Sequence, residues 1–102
     1  MGFYEDVYNA VKAIPYGKVA SYGFIATVSG HSGCSRQVGY ALHKNPDPQN
    51  IPCYRVVFAD GSLAVSFAFG GKDRQRQLLE AEGVEFKSNG CVDMAKYQWQ
   101  LR

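Results

Sequence analysis

The first apolar residues of the chain fall at Phe3, Val7, Ala10, Val11 and Ile14. That spacing keeps one face of a helix apolar and predicts an amphipathic helix over Phe3 to Ile14. Pro15 ends it, because the residue before a proline is pushed out of helical geometry, and Pro15-Tyr16-Gly17-Lys18 reads as a turn. Ser21 is placed to cap a short second helix over Tyr22 to Val28, which Gly30 to Gly33 breaks. A third helix is expected over Arg36 to Lys44, with Ser35 as its N-cap and Val38, Ala41 and Leu42 facing inward. Gly39 in its interior costs about 1 kcal/mol relative to alanine, so it belongs where something must approach the backbone.

Asn45-Pro46-Asp47-Pro48 ends the third helix in a rigid loop. Arg55 to Phe58 and Ser62 to Val65 flank Asp60-Gly61, a hairpin turn signal, and would form a wing. Phe67-Ala68-Phe69-Gly70-Gly71 is an aromatic loop ending in glycine. Lys72 to Glu82 reads as a helix with Leu78 and Leu79 buried and Gly83 as its stop. A short strand, an Asn89-Gly90 turn and an aromatic tail with Tyr97 and Trp99, packed on the core, complete the chain. Two short helices joined by a glycine turn outline either a helix-turn-helix or a plain helical hairpin. The expected fold is α+β, mostly helical: a winged helix-turn-helix domain with a small β-hairpin wing.

Composition narrows the classes. With 102 residues, 46% of them hydrophobic, the chain holds one domain (1–102) with one core. A net charge of +2 excludes a strongly basic nucleic-acid module, so any DNA contact rests on where charge is placed. Lys18, Arg36, Lys44 and Arg55 lie close to the motifs, with Arg74 and Arg76 beyond them. The three cysteines, Cys34, Cys53 and Cys91, have no zinc-ligand spacing, and no metal is expected. No apolar run approaches membrane length and no signal peptide is expected. Free thiols in a reducing compartment are the expectation, with the protein cytoplasmic, nucleoid-associated in a bacterium or nuclear in a eukaryote. Cys34 and Cys91 read as packing or surface residues, and His31 and His43 as exposed polar ones.

The chemistry concentrates in Ile51-Pro52-Cys53-Tyr54-Arg55-Val56-Val57. This stretch resembles the active-site motif of the O6-alkylguanine-DNA alkyltransferases, which carry Pro-Cys-His-Arg-Val. Further blocks agree in order and spacing: Ile14-Pro15-Tyr16-Gly17-Lys18-Val19, Ser21-Tyr22-Gly23, Ser35-Arg36-Gln37-Val38-Gly39-Tyr40-Ala41-Leu42, Asn45-Pro46, and Leu78-Leu79-Glu80-Ala81-Glu82-Gly83-Val84. The tail Met94-Ala95-Lys96-Tyr97-Gln98-Trp99 resembles the alkyltransferase-like group within that family.

The resemblance implies roles. Cys53 would attack the alkyl carbon on guanine O6 and keep the alkyl group, in a single turnover without a cofactor. Tyr22 would rotate the target phosphodiester and donate a proton to guanine N3. Arg36 would enter the duplex and hold the gap left by the extruded base, with Ser35, Gln37 and Gly39 beside it on the recognition helix. Tyr40, where close approach favours a small residue, departs from that pattern. Asn45 would brace the hinge beside Cys53. Pro52, Val56, Val57, Phe67, Phe69 and Gly70 would line the base pocket. The implied partners are double-stranded DNA containing O6-alkylguanine and nucleotide-excision-repair proteins, with the protein acting as a monomer and away from membranes.

One substitution bears on all of this. The family activates its cysteine through a histidine bonded to a glutamate, in the logic of a protease triad. Here Cys53 and Glu82 remain and Tyr54 stands in the histidine's place. A phenol with a reference pKa near 10 is a poor proton acceptor at neutral pH. Losing a positioned base costs about 10²- to 10⁴-fold in rate. Three readings follow: slow alkyl transfer to Cys53, with its proton passing through water to Glu82; lesion binding without repair, as in alkyltransferase-like proteins; and a winged-helix transcription regulator reading base edges.

Overall fold

The computed structural model describes residues 2–63 and 70–100. Helix α1 spans Phe3–Lys12 and buries Val7, Ala10 and Val11, with Ile14 buried just past its end. Strand β1, Ala20–Ser21, leads directly into helix α2, Tyr22–Val28. The Ser21 hydroxyl accepts the Phe24 N–H at 3.1 Å, which satisfies one of the free donors at the helix start. Helix α3 runs over Ser35–His43, so Ser35 is its first residue rather than its cap; Cys34 holds the cap position without a side-chain bond. α2 and α3, joined by a turn with Gly30 and Gly33 at positive φ, pack on α1 as a helix-turn-helix.

Cys53–Arg55 form a 3-10 turn, followed by strand β2, Val56–Val57. β2 pairs in parallel with β1, Ala20 beside Val56 and Ser21 beside Val57. The expected hairpin is therefore only partly realised. Phe58 N–H donates to Ser62 O at 3.0 Å and Gly61 N–H to Phe58 O at 2.8 Å, which closes the Asp60-Gly61 turn. The strand before it, however, takes its ladder partner from β1, and Ala64 and Val65 lie outside the described residues. Because side chains alternate along a strand, the short ladder faces two cores. Ala20 and Val56 join Val7, Val11, Ile25, Val38 and Ala41; Val19 and Val57 join Leu79, Val84 and Val92.

Helix α4, Gly71–Ala81, begins one residue earlier than expected and buries Gln75 and Leu79, one turn apart; Leu78 is only half-buried. Val84 N–H donates to Leu79 O and Gly83 N–H to Glu80 O, with Gly83 at φ 89°, the left-handed residue that stops the helix. The Asn89-Gly90 turn forms as expected, with Phe86 bridged to Val92. Helix α5, Met94–Tyr97, delivers the tail to β1: Val19 N–H donates to Tyr97 O and Trp99 N–H to Val19 O. The Trp99 ring meets Phe24 edge-on at 5.5 Å, so the tail packs on the core. His31 is not the exposed residue expected from the sequence. It is half-buried, its Nε2 lies 3.0 Å from Asp6 Oδ2, and its ring stands edge-on to Phe3 at 4.7 Å.

Candidate functional site

Cys53 opens the 3-10 turn and is 5% exposed. Its backbone is fixed from both sides. Ahead of it, buried Asn45 donates Nδ2–H to Ile51 O at 2.9 Å and accepts Asp47 N–H at 2.8 Å, pinning the two ends of the 45–51 loop. Behind it, Gln75 Nε2 lies 3.1 Å from Tyr54 O and 3.0 Å from Val56 O, tying α4 to the cysteine segment. Gln75 is 1% exposed. No motif in the sequence marked it; a polar residue one turn before Leu79 on the inward face of α4 was the available signal.

The histidine position is occupied by a donor. The Tyr54 hydroxyl donates to Glu82 Oε2. Burial, then the hydrogen bond and charge of Glu82, push the Tyr54 pKa up to about 12, with Arg55 opposing. Glu82 is already heavily shared. Arg55 Nε lies 3.0 Å from Oε1 and Arg55 Nη2 2.8 Å from Oε2, while Gly17 N–H donates to Oε1 at 2.8 Å. Arg55 also reaches Ile14 O at 3.0 Å. Burial works against the charge of Glu82, yet the bonds from Arg55, Tyr54 and Gly17 hold its pKa below the ordinary carboxylate value. Such a carboxylate is a weak base, so the water route from the thiol to Glu82 gains little from it.

Cys53 itself is pushed toward the neutral thiol by burial; the Asn45 amide and the backbone N–H groups of Cys53 and Tyr54 pull the other way without cancelling it. Burial thus favours the thiol over the thiolate that a nucleophilic cysteine requires.

The parallel ladder sets what surrounds the thiol. Pairing of Ser21 with Val57 brings the next residues, Tyr22 and Phe58, side by side, with ring centroids 5.1 Å apart. Burial first, and then the nearby Cys53, raise the Tyr22 pKa, so its hydroxyl stays protonated. On α3, Ser35, Arg36 and Gln37 are exposed in the first turn. A Cβ added at Gly39 would meet only Tyr22 Cε1, at 4.0 Å. Nothing within the described chain therefore demands a glycine here. Tyr40 beside it is 60% exposed.

The expected pocket residues divide. Pro52 is buried, and Val56 and Val57 are 0% exposed, one in each core. Gly70 caps α4 at φ 123°, where a Cβ would lie 2.7 Å from Arg74 Cβ, so only glycine fits. Phe67 and Phe69 lie outside the described residues. Of the basic residues near the motifs, Arg55 is spent on Glu82; Arg76, beyond them, pairs with Glu80 at 3.2 Å.

A helix-turn-helix pair, joined by a parallel ladder to a buried Pro-Cys turn, defines a small α+β domain built around a guarded thiol. Residues 2–84 match the family described as 6-O-methylguanine DNA methyltransferase, DNA binding domain, and the chain belongs to that family. It is similar to a "DNA base-flipping protein" of Vibrio parahaemolyticus, 39% identical over 96% of each chain. It is likewise similar to the structure of Schizosaccharomyces pombe Atl1 in complex with damaged DNA containing O6-carboxymethylguanine, with a TM-score of 0.84 and 38% identity over 97% of this chain and 95% of that one. A methylated-DNA–protein-cysteine methyltransferase of Mycobacterium bovis is 44% identical over 93% of this chain, which spans only 54% of that relative's length.

Proposed function

We propose that this protein binds duplex DNA, extrudes O6-alkylguanine and holds the lesion for another repair pathway, with alkyl transfer to Cys53 slow or vestigial. One observation carries the reading: the residue in the family's base position is a phenol that donates to a carboxylate already held by Arg55, beside a thiol whose pKa burial raises. The names of the full-length relatives, a base-flipping protein and an alkyltransferase-like protein, agree with it.

In this reading Arg36 and Gln37 enter the duplex from the first turn of α3, Ser35 meets the backbone, and Gly39 lets the helix sit close to the groove. Tyr22 rotates the target phosphodiester and Asn45 keeps the Cys53 loop in register. Of the residues expected at the base, Pro52 and Gly70 border it in this reading, while Val56 and Val57, fully buried in the two cores, hold the Cys53 segment from within. Residues 1–102 act as one monomeric unit, and nucleotide-excision-repair proteins receive the held lesion. Extrusion costs a few kcal/mol and least for an impaired pair, which supplies the preference for the lesion.

A second reading, stoichiometric transfer to Cys53, is favoured by the cysteine itself and by the methyltransferase relatives. Titration of a fluorescent duplex with and without O6-methylguanine tests the binding common to both. The lesion duplex should bind more tightly, and Arg36→Ala should weaken both complexes and narrow the difference. Equal affinity of the wild type for the two duplexes would sink the proposal.

A further inference from the structure

Phe58 belongs to none of the roles above. Its side chain stands at the end of β2 with 46% of its surface exposed. A single exposed aromatic is ordinary; its setting here is not. Among the described residues, Phe58 is the one ring in stacking range of Tyr22, at 5.1 Å and tilted 46°. Helix α3 meets the edge of the Tyr22 ring at Gly39, where an added Cβ would stand 4.0 Å from Cε1. The Tyr22 ring is partly buried against the first core, and Phe58 adds an aromatic contact from the end of β2. That contact is built into the backbone: the register that pairs Ser21 with Val57 delivers Tyr22 and Phe58 as neighbours.

We propose that Phe58 is a positioning residue for lesion recognition, fixing the Tyr22 ring through aromatic contact so that its hydroxyl is already aimed when the nucleotide is extruded. The inference rests on the base-extrusion reading above. A phenol free to change rotamer would have to be ordered on binding, and that cost would fall on the extruded complex alone. Phe58 therefore acts on the difference between lesion and undamaged DNA rather than on DNA affinity as such. A tilted aromatic pair contributes about two- to tenfold in an equilibrium constant.

The test uses the full chain and a duplex carrying O6-methylguanine with 2-aminopurine as its neighbour, whose fluorescence rises when stacking is lost. Phe58→Leu keeps the apolar volume and removes the ring; Phe58→Tyr keeps the ring. Phe58→Leu should weaken lesion binding by about two- to tenfold, leave undamaged-duplex affinity within about twofold, and lower the extrusion signal. Phe58→Tyr should restore both. In a Tyr22→Ala background, Phe58→Leu should have little further effect, which a merely structural role would not produce. Wild-type lesion preference retained in full by Phe58→Leu, or an equal loss on both duplexes, overturns the role of Phe58. A wild type with neither preference nor extrusion signal overturns the extrusion reading, and the inference with it.

Discussion

Tyr54 gives Cys53 no effective base in the position where the family's histidine stands. Tyr54 is a donor in its bond to Glu82 and, with its pKa pushed up to about 12, neither gives up nor takes a proton in the physiological range. The resemblance made the Tyr54–Glu82 pairing legible from sequence, since a glutamate partner for that position is part of the family's relay. It did not reveal that Arg55 would claim both oxygens of the same carboxylate, because the Arg55–Glu82 contact spans 27 residues with no periodic signal. Tyr54→His should therefore speed transfer from O6-methylguanine, but only by part of the roughly 10²- to 10⁴-fold that a positioned base supplies. The pH profile separates the two proteins. Burial raises the Cys53 pKa, so the reactive thiolate grows as pH rises; in the wild type the single-turnover rate should climb about tenfold between pH 7 and 8. Tyr54→His should flatten that climb, since a histidine near its reference pKa of about 6.5 is already a neutral base there. A pH-independent wild-type rate would mean that the thiolate forms by a route not described above.

Local patterns read well at the level of elements. α2 appears over the residues its cap and spacing named, and Gly83 ends α4 through the expected left-handed turn. What could not be read is non-local. Two-residue strands carry no alternation long enough to detect, and β1 and β2 lie 34 residues apart, so the parallel ladder that sets Tyr22 beside Phe58 was invisible and a hairpin was the default. The same holds for His31, in the turn after α2, whose partner Asp6 lies on α1. Gly39 is the position where element stability and function part. The site has room for a methyl group, at an ordinary 4.0 Å from Tyr22. Gly39→Ala should stabilise the fold by about 0.5–1 kcal/mol through helix propensity, read as a higher urea midpoint, while weakening duplex binding. A substitution that stabilises and binds unchanged would remove the case for close approach at α3.

Charge governs the whole molecule. The net charge is +2, and two arginines, Arg55 in the site and Arg76 on α4, pair with Glu82 and Glu80. Few phosphate contacts remain, on the order of three or four, and each contributes about −0.9 to the log–log dependence of affinity on salt. The slope should be about −3; a value near −8 would reveal a basic surface not recognised above. Under the proposed function, affinity of this modest electrostatic kind leaves selectivity to the extruded base, and the fate of that base is decisive. Intact mass spectrometry of the wild type, sampled over time after mixing with excess O6-methylguanine duplex, addresses it most directly. The guarded thiol predicts a protein that stays at its unmodified mass for minutes while the complex is fully formed, with one methyl group reaching Cys53 over hours at most. Stoichiometric methylation within seconds at neutral pH would contradict the account, because it would require the thiolate that this site disfavours.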